Sequence, residues 1–350
     1  MNRPRSALVI GAGLAGSAIA AVLARRGWRV TVLAAQGHAP PASAVPAAVM
    51  APPVGPARDP LSRIRRRGVA CTRAWLAHLE RAGFDAGRVA DGVVIHPAGE
   101  RARARHERIG PDHPHARPSA PGSTVLCHAL GACVRPTDFA EALRASAHGL
   151  ATIDAHVAGI TRDGDQWSAR DEAGRAVAHG ECLVVAAGAA SGHLLPEARH
   201  LLHPARGQAT AFAADPRIDD GALPVSGGGY ITPAVDGCHW VGATLQRGDT
   251  DLQPRRADDA ANLVFARERL GMAAAPDAAG RFVGIRATTP NRIPLVGACT
   301  GGAWMSAGHG AHGLLTACLS AHLIADALVG RDHPWLRLTA PLRRRDRGGE

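Results

Sequence analysis

An uncharged run from Ala7 to Ala24 opens the chain, with Arg3 and Arg5 before it and Arg25 and Arg26 after it. Within the run the pattern changes three times. Ala7–Ile10 is continuously apolar and strand-like; Gly11-Ala12-Gly13-Leu14-Ala15-Gly16 has the GxGxxG spacing; Ser17–Arg26 reads as a helix closed by Gly27, and Val30–Leu33 as a second strand. A basic start and an apolar core of this length also fit an export signal or a membrane span. Three glycines early in the run, and no cleanly placed small-residue cleavage site before Arg25, favour the βαβ unit of a dinucleotide fold. In that unit Gly11 allows the tight turn, Gly13 lets backbone N–H groups approach a pyrophosphate, and Gly16 lets helix and strand pack closely.

Further along, residues 39–57 read as a loop, 65–81 as a helix, and 92–135 as short strands between Pro- and His-rich turns. Thr137 or Asp138 is a candidate cap for a helix Phe139–Ala147. A small meander around Gln166–Arg170 leads to Cys182–Gly188, an apolar strand ending in Ala186-Ala187-Gly188, where small residues allow close passage of the chain. Residues 204–252 read as strands with Gly/Pro turns, and 255–270 as an amphipathic helix. Trp304–Ala307 then forms a strand, Gly308-His309-Gly310-Ala311-His312-Gly313 a second glycine turn, and Leu314–Val329 a helix closed by Gly330. A glycine turn opening a helix offers N–H donors and a positive helix end. Both ends of the chain supply such turns, so the expected fold is α/β and interleaved. Residues 1–90, 136–203 and 281–335 make a Rossmann-like dinucleotide-binding domain, 91–135 and 204–280 a substrate domain on an antiparallel sheet, and 336–350 a basic tail.

Composition adds three constraints. A hydrophobic content of 46% with 20% charged residues is that of a globular protein, not a disordered one. The seven cysteines are scattered without a CxxC pair, which argues against a zinc site or a disulfide framework and points to a reducing cytoplasm. His309 and His312 have ligand-like spacing but no third ligand in view, so no metal is expected. All 40 basic residues are Arg, and against 30 acids they leave a net charge of +10. That balance favours polyanions, RNA especially, although an arginine-biased proteome produces it too. The arginines cluster at Arg63, Arg65, Arg66 and Arg67, at Arg101, Arg103, Arg105 and Arg108, and at Arg343, Arg344, Arg345 and Arg347.

The segments VIGAGLAGSAIAAVLARRGWRVTVL, HPARGQAT, GGGYITPAVDGCHWVGAT, GDTDL, GRFVGIRATTPNRIPLVG and GHGAHGLLTACLSAHLIADAL span nearly the whole chain in order. Together they resemble the FAD-dependent oxidases of the D-amino-acid oxidase and glycine oxidase superfamily. Within it they are most similar to the oxidoreductase half of the bifunctional enzymes that make 5-methylaminomethyl-2-thiouridine at the tRNA wobble position. The resemblance implies noncovalent FAD, its pyrophosphate over Gly11, Gly13, Leu14, Ala15 and Gly16 and its isoalloxazine near Gly308, His309, Gly310, Ala311, His312, Gly313 and Leu314. Gln36, Val157, Ala187 and Gly188 complete the implied cofactor set. It also implies a reaction: oxidative removal of the carboxymethyl group of carboxymethylaminomethyl-uridine as glyoxylate, without the methyltransferase half. Arg286 is then the anchor for the substrate carboxylate, with a structural ion pair as its alternative. Tyr230, the single Tyr, is a candidate carboxylate donor or a packing residue; Arg292 is structural or a second anion contact.

Two positions depart from that family. Its acid at the end of the second strand, which grips the adenosine ribose, is replaced by Ala34, with Gln36 the nearest substitute. A charge-assisted hydrogen bond of roughly 1.5–3 kcal/mol is thereby missing. The loop near the flavin reads Ser43-Ala44-Val45-Pro46-Ala47-Ala48 rather than a Ser-Gly-Asn-Pro type. Three alternatives stand beside this reading: an NADP site next to Arg25, Arg26 and Arg29, which leaves the second glycine turn unexplained; an oxidase for glycine, sarcosine or a D-amino acid; and a non-catalytic flavin-fold or RNA-binding relative.

Overall fold

Contacts in the computed structural model, which describes residues 5–35, 40–55, 59–109, 113–219 and 223–341, divide the chain into two units. One comprises Met1–Pro41, Ala140–Pro204 and Arg286–Glu350; the other comprises Ala42–Phe139 and Ala205–Ile285.

The first unit is built on a six-stranded sheet. Its order is Leu295–Ala298, Trp304–Ala307, Cys182–Val185, Ser6–Ile10, Arg29–Ala34 and Leu150–Asp154. All neighbours are parallel except the first pair. Parallel strands are covered on both faces, so their sequences are continuously apolar rather than alternating. Cys182–Val185 is buried at every position, and so is Ala7–Ile10. The pleat sends Leu8, Ile10, Leu33, Leu183, Val185 and Met305 into one cluster with Trp167 and Ala169. These last two come from a three-stranded antiparallel meander, Gly159–Asp163, Gln166–Arg170 and Ala176–Gly180. Helix Leu14–Arg25 joins the strands Ser6–Ile10 and Arg29–Ala34 and packs against helix Gly313–Ala327. The opening apolar run is therefore a βαβ unit, and among the described residues no helix is long and apolar enough to cross a membrane.

The second unit carries a mixed, mainly antiparallel sheet in the order Gln246–Arg247, His203–Ala213, Cys238–Gly242, Tyr230–Ile231, Val225–Ser226, Arg88–Ile95, Leu126–Val134 and Ala48–Met50. Gly280–Thr288 pairs with His203–Ala213, and Ala116–Pro118 with Leu126–Val134. Helices Pro60–Arg81, Glu100–His106 and Arg256–Leu270 accompany it.

Four boundaries differ from the sequence expectation. Residues 42–90 group with the second unit, because Ala48–Met50 and Arg88–Ile95 both pair with Leu126–Val134. The helix expected at Arg65 starts at Pro60: Asp59 Oδ1 accepts the Ser62 N–H at 2.9 Å, and proline suits the first helical position. Proline likewise opens the helix Pro136–Ala145, ahead of the expected Phe139. The segment expected as a basic tail begins inside helix Pro334–Thr339, whose Thr339 Oγ1 donates to Val296 O at 2.8 Å. Arg343, Arg344, Arg345 and Arg347 lie outside the described residues.

Candidate functional site

The first glycine turn is held by contacts that leave no room for side chains. Gly11 has φ +107°, and a Cβ there would sit 2.5 Å from Ala186 O; a Cβ on Gly16 would sit 1.8 Å from Gly11 O. The turn is also tied to its neighbours, Gly11 N donating to Leu33 O at 2.8 Å and Ala186 N to Ile10 O at 2.8 Å. Ala187 lies against Gly11 as well, its Cα 3.2 Å from that added Cβ, and Gly188 follows with φ +58°. The small residues at the end of Cys182–Val185 thus let the chain pass directly beside the turn. Val157 packs on the cluster that contains Ile10 and Leu33.

A clamp that the sequence spacing does not reveal fixes Ala12. Its carbonyl accepts from Ser17 Oγ at 3.0 Å and from Arg144 Nη1 at 2.9 Å, and Arg144 Nη1 also donates to Ser17 Oγ. Arg144 is 132 residues from Ala12 in sequence, so no local pattern points to it. Helix Leu14–Arg25 begins at Gly13 with no side-chain cap and no acid in its first turn, where Leu14 and Ala15 lie. An uncapped, acid-free helix start is suited to an anion.

The second turn is locked differently. Gly308 and Gly310 have φ +74° and +57°, and Gly310 N donates to Ala287 O at 2.9 Å. Both ring nitrogens of His309 are engaged: Nδ1 lies 2.8 Å from Thr316 Oγ1 and Nε2 3.1 Å from Ser306 Oγ. Thr316 Oγ1 spends its hydrogen on His312 O at 2.9 Å. It therefore accepts from His309 Nδ1–H, and Nε2 accepts from Ser306, which defines a neutral tautomer. Part of the residue remains exposed, but desolvation of the ring pushes its pKa down to about 4. What the turn keeps for a ligand is main chain around Gly308–His312 and the start of helix Gly313–Ala327, which has neither a side-chain cap nor an acid in its first turn. The two turns meet: a Cβ on Gly313 would touch Leu14 Cδ2 at 3.7 Å. Two close-approach glycine turns, each opening an uncapped helix, fit a dinucleotide with a fused-ring head.

The remaining expected residues are distributed as follows. Arg286 is half-buried in the first unit, on strand Gly280–Thr288, and precedes Ala287, whose carbonyl accepts from Gly310 N of the second turn. Tyr230 belongs to the second unit, half-buried on strand Tyr230–Ile231 and paired in register with Ser226 and Gly242. Gln36 lies outside the described residues. Arg292 is exposed with φ +61°. Ala34, where the family's acid is missing, ends its strand in register with Asp154 of the neighbouring parallel strand. Asp154 was not singled out in the sequence, because only the pairing reveals it.

Arg206-Gly207-Gln208 turns out to be the centre of a buried polar network in the second unit. Arg206 is wholly buried and paired with Asp258; it also donates to Gln208 Oε1, Asp251 O and Gln253 O. Gln208 Nε2 donates to Asp259 at 2.8 Å, and Arg281 Nε pairs with the same carboxylate at 2.6 Å. Arg255 holds Asp249 and Asp251. The segments HPARGQAT and GDTDL are thus partners in one framework. Among the described residues, no group of three or more His, Cys, Asp or Glu is placed to hold a metal ion.

Comparison with known proteins agrees with this geometry. A family model described as FAD dependent oxidoreductase matches residues 6–327. The tRNA 5-methylaminomethyl-2-thiouridine biosynthesis bifunctional protein MnmC of Paracidovorax citrulli is 36% identical over 95% of this chain and 58% of its own length. Its counterpart in Verminephrobacter eiseniae is 33% identical over 95% of this chain and 62% of its own. The chain therefore spans about three fifths of the length of these curated relatives. Among solved structures, iminodiacetate oxidase from Chelativorans sp. BNC1 superposes with a TM-score of 0.81 at 22% identity, covering 96% of this chain and 98% of that one. Glycine oxidase from Bacillus cereus gives 0.76 at 21% identity, with 97% and 99% covered.

Proposed function

The chain belongs to the DAO family of FAD-dependent oxidoreductases, and from that premise we propose that it oxidises a secondary amine bearing an N-carboxymethyl group, that of carboxymethylaminomethyl-uridine in tRNA. The observation that carries this reading is the place of Arg286 in the chain, next to Ala287, whose carbonyl holds the second glycine turn; we assign its guanidinium to grip the planar carboxylate bidentately and hold the adjacent carbon in line for oxidation. FAD held over the two glycine turns would supply the acceptor for the hydride of the carbon between nitrogen and carboxylate, and hydrolysis of the resulting C=N bond would give glyoxylate and the aminomethyl group. Asp154 is assigned the ribose contact that Ala34 lacks.

Identity with the tRNA-modifying relatives exceeds that with the solved amine oxidases, and the net charge of +10 suits RNA. A free small amine is the second reading. Iminodiacetate, the compound named for the TM 0.81 neighbour, is itself an N-carboxymethyl secondary amine, so both readings share one reacting fragment. The assay that separates them measures glyoxylate from tRNA carrying the carboxymethylaminomethyl group, beside iminodiacetate, sarcosine and glycine. Turnover of the tRNA at a kcat/KM at least tenfold above every free amine is expected. Efficient turnover of a free amine with none on the tRNA would overturn the tRNA assignment.

A further inference from the structure

Donors that the amine-oxidase reading does not use converge in the second unit. Arg66 lies on helix Pro60–Arg81, His113 and His115 on the segment entering strand Ala116–Pro118, and His128 on strand Leu126–Val134. The rings of His113 and His115 are each centred 6.4 Å from that of His128, the first edge-on and the second stacked. Nδ1 of His113 accepts from Ala116 N at 2.9 Å, and Nδ1 of His128 from Leu130 N at 3.2 Å. In each neutral ring the proton therefore sits on Nε2, and both histidines are donors in either charge state. Arg66 Nε is buried with no hydrogen-bond partner among the described residues. Leaving such a donor unmet is unfavourable.

We propose that Arg66, His113, His115 and His128 form a binding site for a phosphate group, supplied, on the tRNA reading above, by the RNA backbone. Donors arriving from a helix, a loop and a strand match the tetrahedral spread of phosphate oxygens better than one planar carboxylate. A cation is disfavoured by the adjacent guanidinium.

The electrostatics give the site a pH dependence. Burial, then His113, His115 and Arg66, hold His128 at about 4; burial, then Arg66 and His115, lower His113. Among the described residues, no carboxylate is among the groups acting on either ring. On the same elements Arg73 and Arg88 are paired with Asp91, and Arg117 is exposed; Asp112, next to His113 in sequence, lies outside the described residues. A bound anion favours the charged imidazolium forms, so binding takes up protons and tightens as pH falls.

The test has two arms on the FAD-loaded protein. Histidine C2–H resonances are followed by proton NMR during titration with inorganic phosphate, with His113→Gln and His115→Gln to assign them. Raised titration midpoints for those two residues, and at least fivefold weaker binding in Arg66→Gln, are expected; unmoved resonances overturn the site. The second arm measures binding of a fluorescent oligouridylate at pH 6 and pH 8. A wild-type loss of affinity at least threefold greater than that of the Arg66→Gln/His113→Gln variant assigns the phosphate to RNA. Equal pH dependence overturns the RNA assignment. Failure of the tRNA reading itself appears separately, in the glyoxylate assay.

Discussion

The two glycine turns of the first unit open the same kind of helix and are secured by different means. In the first, glycine is required by crowding: backbone oxygen occupies the place of a Cβ at both Gly11 and Gly16. In the second, a Cβ on Gly308 would meet a side chain, Thr289 Cγ2 at 2.7 Å, rather than backbone oxygen, and the lock is the His309 ring held between Ser306 and Thr316. Glycine spacing announces a turn of the first kind. It says little about the second, which is held by one side chain's hydrogen bonds.

The largest effect that separates the two turns should come from Gly16→Ala. A methyl group 1.8 Å from Gly11 O cannot be accommodated without moving backbone. We expect loss of at least several kcal/mol of stability and failure to retain FAD. Gly313→Ala meets only ordinary contact at 3.7 Å. Its melting temperature without FAD should stay near wild type, while weakened FAD affinity would show that the ligand, not the fold, needs that glycine. Similar melting losses in both variants would erase the contrast.

Next in size is the pH response of the second turn. The His309 pKa is depressed in the folded state to about 4 from 6.5. Its contribution is therefore present above pH 6.5 and lost as pH falls through the window down to about 4, on the order of a few kcal/mol. His128 is shifted the same way, so the decisive comparison is wild type against His309→Asn. The variant should be less stable at pH 7.5, and the gap should narrow toward pH 4.5 in urea melts; a gap independent of pH would remove the neutral-imidazole lock.

A smaller effect concerns the end of strand Arg29–Ala34. Asp154→Asn should weaken FAD binding about tenfold if this carboxylate stands in for the missing acid, in keeping with roughly 1.5–3 kcal/mol for a charge-assisted bond. Ala34→Glu should restore affinity in that background. Unchanged dissociation constants in both would locate the ribose contact elsewhere.

The same contrast explains what the sequence made legible. Strand Trp304–Ala307, the meander strand Gln166–Arg170 and the first βαβ unit lie where periodicity and glycine turns put them. The family resemblance, carried by ordered motifs, is matched by the family model over residues 6–327. Less legible were features made by pairing across long separations. Residues 42–90 read as part of the first domain until strand pairing placed them in the second. Arg206 has no role that its local sequence assigns, although 52 residues of separation bring it to Asp258 inside a buried network. Arg144 and Asp154 carry no local signal at all.

The central claim is that Arg286 anchors an N-carboxymethyl amine while the glycine turns hold FAD, and one measurement addresses it directly. Wild type and Arg286→Ala are compared for flavin stoichiometry and for glyoxylate release from carboxymethylaminomethyl tRNA and from iminodiacetate. The account predicts unchanged flavin content, with release from whichever compound the wild type turns over depressed at least a thousandfold, because the carboxylate is left unpaired and the reacting carbon misaligned. Release within tenfold of wild type, or loss of flavin in step with activity, would contradict it.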